Sequence, residues 1–107
     1  MSDEELLKLA AKAAGVKIDY SKTNGGGMHN TGFDVLGNAV LDWHNGERWN
    51  PLKDDSNAFR LAVKLNIFQD AYFSPQIATE AIKNGGDWIS ATRRAIVVLA
   101  AKIGEPS

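Results

Sequence analysis

The 107-residue chain has no cysteine, which excludes disulfides, thiolate metal sites and cysteine nucleophiles. Net charge is also scarce. A formal −1 at pH 7 supplies no global positive field to attract nucleic acid, although a local basic patch would not register in that sum. No apolar run approaches the ~20 residues of a membrane-spanning helix, so no membrane partner is expected. Met1-Ser2-Asp3-Glu4-Glu5 is acidic and lacks the basic region of a signal peptide, making the cytoplasm the expected location. There are only two histidines, His29 and His44, and they lack metal-ligand spacing relative to each other. No internal repeat, low-complexity tract or interdomain linker interrupts the chain. What remains is one domain's worth of sequence, 44% hydrophobic and 23% charged, long enough to bury a single core without staples.

Ser2 stands three residues before Glu5 as in a capping box, and Asp3 and Glu4 suit the positive end of a helix. Leu6, Leu9, Ala10 and Ala13 follow at helical spacing and Gly15 terminates, predicting a helix over about 3–14. Val16 to Tyr20 alternates as a weak strand would. Ser21 to Gly32 carries Asn24-Gly25-Gly26-Gly27 and Asn30-Thr31-Gly32 and reads as a long loop, since each glycine loses much backbone freedom on ordering.

The densest stretch is 43–65. Asn38 to Trp43 reads as a strand and Asn45-Gly46 as a hairpin turn. Asn50 to Asp55 is turn-like, and Asp54 or Asp55 can cap a second helix whose stripe is Ala58, Leu61, Ala62 and Leu65, with Asn66 able to end it. Ile67 to Phe73, rich in aromatics, reads as a strand, and Ser74-Pro75 as a break. Gln76 to Ile82 is two-sided: Ile77, Thr79 and Ala81 alternate, while Ala78, Glu80, Ala81 and Lys83 favour helix, and a strand pairing with the preceding one is preferred. Asn84-Gly85-Gly86 makes a turn. Asp87 or Ser90 then caps a last helix to about Ile103, apolar on nearly every face from Ala95 to Ala101. The order α-β-β-α-β-β-α predicts an α+β fold, with an antiparallel sheet of about four strands flanked by three helices.

Two of these segments resemble a known family. Trp49-Asn50-Pro51-Leu52 with Asp54-Asp55, followed by Ala58 to Leu65, looks like the signature of small phage-encoded proteins described as the phage alpha-beta-alpha sandwich domain. Ala91-Thr92-Arg93-Arg94-Ala95-Ile96-Val97, closing with Ala101-Lys102-Ile103-Gly104, is similar to the family's second motif. Together they span roughly the C-terminal half, in the family's order and separation. The resemblance implies a phage or prophage accessory protein, helices flanking a sheet, and no assigned enzymatic activity. Some small phage proteins counter host defence, a few by sequestering nucleotide signals, and this chain's role is compared with theirs by analogy only.

Several residues can bear a site. Thr92, Arg93 and Arg94 lie near the start of the last helix, where free N–H groups and bidentate arginines favour phosphate, unless the arginines pair with Asp87, Glu80 or the sheet edge. Trp43, His44, Arg48 and Trp49 surround the hairpin. Tryptophan and arginine anchor binding sites, yet both indoles could equally close the core. Asn24 to Gly27, with Asn24 and Gly26, could cradle a phosphate but lacks the ending and the strand–loop–helix context of a P-loop. Asp54 and Asp55, with Asp42 and Glu47, could hold a divalent ion, but helix capping accounts for the pair more simply and the spacing is not that of an EF-hand. Arg60 and Lys64 form a basic i, i+4 pair that reads as a solvated face. No catalytic triad stands out, no cofactor is expected, and no metal site is assigned.

The leading expectation is a non-enzymatic protein that sequesters a small anionic, nucleotide-type ligand. The alternatives are a protein-interaction module inhibiting a host defence enzyme, and a small nucleotide hydrolase using His44 or His29. Nucleic acid ranks last as a partner, and assembly into a homo-oligomer is expected.

Overall fold

The computed structural model describes residues 1–21 and 31–106. Helix α1 (Asp3–Ala14) begins where Ser2 Oγ accepts the Glu5 N–H at 3.2 Å and ends at Gly15, whose φ of 71° turns its N–H onto the Ala11 and Lys12 carbonyls. Strands β1 (Ala39–Asp42) and β2 (Glu47–Trp49) pair antiparallel, Ala39 opposite Trp49 and Val40 opposite Arg48, with an irregularity before Asp42. Gly46, at φ 74°, supplies the left-handed turn residue that the Asn45-Gly46 pair predicts. The 16–20 segment runs beside β1, where the Asp19 N–H donates to the Val40 carbonyl at 2.8 Å, but forms no strand of its own.

Helix α2 (Asp55–Lys64) is capped by Asp54, whose carboxylate accepts the Asn57 N–H at 2.8 Å, and it buries Ala58, Leu61 and Ala62. Asn66, at φ 57°, breaks the chain direction, and a single 3₁₀ turn (Ile67–Gln69) leads into α3 (Phe73–Lys83). Asp87 then caps α4 (Trp88–Gly104) through the Ser90 N–H at 3.1 Å.

The expected four-stranded sheet flanked by three helices is not what forms. The described residues hold four α-helices and one two-stranded ribbon. Residues 67–83 make the difference, being a 3₁₀ turn and a helix rather than two strands. Pro75 falls in the first turn of α3, where its missing N–H costs nothing, so it begins the helix instead of separating strands. The Gln76 amide donates to Glu80 four residues on at 3.0 Å, and Glu80 pairs with Lys83, contacts that only helical spacing permits. Ile77 and Ala81 alternate, but they are also i, i+4 neighbours, and the helical reading of that pair prevails.

The core lies where α1 and α4 pack together over the hairpin and α2, with Leu7, Ala10, Ala62, Val97 and Ala100 buried. Alanines let the backbones approach closely. At Gly104 they approach so closely that a Cβ would run into the Leu9 carbonyl oxygen.

Candidate functional site

The two arginines of α4 are fully engaged within the fold. Arg93 donates from Nε to the Leu52 carbonyl (2.9 Å), from Nη1 to Asp55 (2.7 Å) and from Nη2 to Ser90 Oγ (3.2 Å). Arg94 donates to Asp3 at 2.9 Å and sits 3.2 Å from Glu80 Oε2, an ion pair without hydrogen-bond alignment. Glu80 is only 2% exposed, so this pair clasps α1, α3 and α4 from inside. Thr92 Oγ1 donates back to the Trp88 carbonyl at 2.7 Å. The start of α4 does not present unpaired guanidinium groups to a phosphate.

Of the four hairpin residues, only Trp43 and Arg48 come together. Trp49 is buried at 7% exposure and belongs to the core. Trp43 is half-buried, its indole N–H donating to the Asp19 carbonyl at 3.0 Å. Arg48 lies 5.3 Å from the Trp43 ring and donates to Asp34 at 2.9 Å. Burial pushes the Asp34 carboxyl up, but the N–H of Asn38, the Arg48 guanidinium, the Asn38 amide and the N–H of Leu36 together hold it below the ordinary value. His44 is exposed at the turn, and it is its backbone N–H that bonds Asp42, at 2.9 Å. Asp42 is held below its ordinary value first by the Asn45 N–H, which outweighs desolvation, with the Asn45 amide and the His44 N–H adding to it. Asn24, Gly26 and His29 lie outside the described residues.

The structure instead brings together residues that the sequence reading passed over. α2, the 3₁₀ turn and the start of α4 enclose an open groove of about 480 Å³. Phe59 and Phe68 form one side and Trp88 and Ile89 the other, with Ile96 also lining it. Thr92 and Arg93 line it too, Arg93 already held by Asp55. Phe68 stacks obliquely on Phe59 with centroids 5.7 Å apart and meets Phe73 edge-on at 5.6 Å, so that wall is braced. Trp88 also borders a neighbouring apolar hollow with Ala81 and Ile82, which extends the apolar surface around the helix start.

These side chains are large, apolar and in water. Phe59, Val63, Phe68, Trp88 and Ile89 are 46–67% exposed. At roughly 150–250 Å² per large apolar side chain, they leave on the order of 500 Å² of adjoining apolar surface. That is near the upper end for the largest patch on a monomer and more than half of the ~800 Å² per partner of a standard interface. Of the carboxylates at the N-termini of the two wall helices, Asp54, Asp55 and Asp87, only Asp55 lines the groove, and it is paired with Arg93. Asp87 is held below its ordinary value first by the Ser90 hydroxyl and N–H, which outweigh desolvation, and it is ionised at neutral pH.

Helical period gives a signal that could have found the groove. Phe59 and Val63 are i, i+4 neighbours outside the Ala58/Leu61/Ala62 stripe, which puts two large apolar residues on the face turned from the core. Trp88 directly follows the Asp87 cap, a position that is rarely shielded.

Among the described residues, no group of three or more His, Asp or Glu side chains gathers as a metal set, and no helix is long and apolar enough to cross a membrane. No family model, curated protein or solved structure matches the chain.

Proposed function

We propose that this protein is an interaction module whose aromatic groove receives an apolar-faced helical segment of a partner protein. The observation that carries the reading is the exposure of Phe59, Phe68, Trp88 and Ile89 around one concavity. Helix-in-groove recognition uses this geometry, with apolar anchors entering between two helices and charges at the rim setting orientation. Tryptophan and phenylalanine at the centre of such a patch are the side chains expected to dominate its binding energy. The motif resemblance to phage accessory proteins favours an enzyme of a bacterial host as the target class. A small anion meets no free guanidinium at Arg93 or Arg94, so that alternative depends on other cations.

Photo-cross-linking tests the reading. With p-benzoylphenylalanine in place of Trp88, irradiation of bacterial cells making the protein should give one adduct of defined mass. The same residue in place of the distant Lys102 should not give it, and Phe59→Ser should remove it. The cross-linked peptide should be an amphipathic segment that binds the purified protein on its own. Equal adducts from both positions, or adducts only with a second copy of this chain, would refute the proposal.

A further inference from the structure

We infer that a second, separate hollow, between the hairpin and α2, binds a small phosphate-bearing ligand. This hollow is about 240 Å³ and is bordered by Arg48 and Trp49 of β2, by Asn57, Arg60 and Lys64 of α2, and by Leu41. Its cations are not accounted for by the fold. Of the four arginines, Arg48, Arg93 and Arg94 each have a carboxylate partner, whereas Arg60 has none among the described residues. Lys64 also pairs with no carboxylate among them; its ammonium lies 3.8 Å from where a Cβ on Gly15 would be, beside the C-terminal end of α1. A helix C-terminus accounts for a cation there, but not for two. Arg60 and Lys64 are i, i+4 neighbours on one helix face, where like charges repel, and an anion between them removes that repulsion.

Further donors point the same way. Arg48 commits only Nε to Asp34, leaving its two terminal nitrogens without hydrogen bonds among the described residues. Asn57, which also lines the hollow, accepts the Asn50 N–H through Oδ1 at 2.8 Å, and its amide NH₂ has no hydrogen bond among the described residues. With Arg48 counted against Asp34, the hollow still sets Arg60 and Lys64 against the single carboxylate of Glu47. A forked guanidinium and an ammonium around a concave floor suit a phosphate better than a monovalent carboxylate. The apolar wall of Leu41, Leu61 and the edge of Trp49 gives the ligand's organic body a dry surface. The volume lies below the range for drug-sized ligands, so the fitting class is a small phosphomonoester, of nucleoside monophosphate size or less.

None of these residues belongs to the aromatic groove, so the two sites stand or fall separately. The test is an amide-shift NMR titration at low salt with inorganic phosphate in one arm and a nucleoside 5′-monophosphate in the other. The monophosphate should saturate with shifts confined to residues 47–49 and 57–64, and bind more tightly than phosphate. Arg60→Gln and Lys64→Gln should each weaken it by at least about tenfold, the usual worth of a charge-assisted hydrogen bond. Lys102→Gln and the groove variant Phe59→Ser/Trp88→Ser should bind as the unaltered protein does. Absence of saturable shifts with either probe, equal loss in Lys102→Gln, or equal affinity for the two probes would overturn the inference. Because Arg60 and Lys64 are exposed, their variants should keep the unaltered amide spectrum elsewhere, and a collapsed spectrum would place both residues in the fold and count against the site.

Discussion

The two ends of α4 are treated in opposite ways. Toward its C-terminus, small residues bring it against α1 until Gly104 meets the Leu9 carbonyl, and the middle of the helix is almost wholly buried. Toward its N-terminus, Trp88 and Ile89 stay in water beside Phe59 and Phe68. Arg93 and Arg94 mark the division, one tied to α2 and the other to α1 and α3. The lesson is that charge and bulk are distributed against expectation. The arginines that sequence patterning offers to a ligand hold the fold together, and the free surface is formed by Phe59, Phe68, Trp88 and Ile89, of which patterning assigns only Phe68 to a strand.

The contrast can be broken most forcefully at the clasp. Arg94→Ala leaves the buried Glu80 with only the Gln76 amide and the more distant Lys83 ammonium at 3.7 Å, so the loss should fall toward the lower end of the roughly 3–5 kcal/mol that removing one member of a buried pair typically costs. Chemical denaturation should show a loss of about that size, largely restored in Arg94→Ala/Glu80→Met. A loss below ~1 kcal/mol would mean the clasp is incidental. Next in size is Gly104→Val, which forces α1 and α4 apart and should cost about 1–3 kcal/mol by overpacking. An unchanged melting temperature there would deny the close helix contact.

Smaller still is the acid response of Asp34. Its carboxyl is held below the ordinary 3.8, so its contribution is complete above that pH and is lost as the pH falls below it. Asp34→Asn should therefore cost about 1 kcal/mol near neutrality and flatten the acid limb of a melting-versus-pH curve below about pH 4. An identical acid limb would show that the loop carboxylate is not linked to folding. The smallest effect belongs to the groove. Phe59→Ser/Trp88→Ser should change stability by no more than about 0.5 kcal/mol per site, because both side chains are mostly solvated already. A large loss would make them part of the core.

Local chemistry was readable from the sequence wherever a cap or turn decides the outcome. Ser2, Asp54 and Asp87 cap three helices, and Asn45-Gly46 turns the hairpin, because each acts through neighbours within a few residues. The 67–83 region was not readable, because its alternation of apolar residues fits two periods and only the packing of α3 on α4 selects between them. The candidate site was legible in fragments. Thr92 and Arg93 do line the groove, and Arg48 and Trp49 border the smaller hollow. The pairing of Arg94 with Asp3 joins residues 91 positions apart, and no local pattern reveals such a contact.

On the proposed function, the aromatic end of α4 is kept open for a partner. Calorimetric titration of the cross-linked partner segment against the unaltered protein and Phe59→Ser/Trp88→Ser tests it most directly. A partner seated in the groove should lose affinity by at least about 100-fold, the effect of losing two central anchors, with melting essentially unchanged. Equal affinity for both proteins would contradict it.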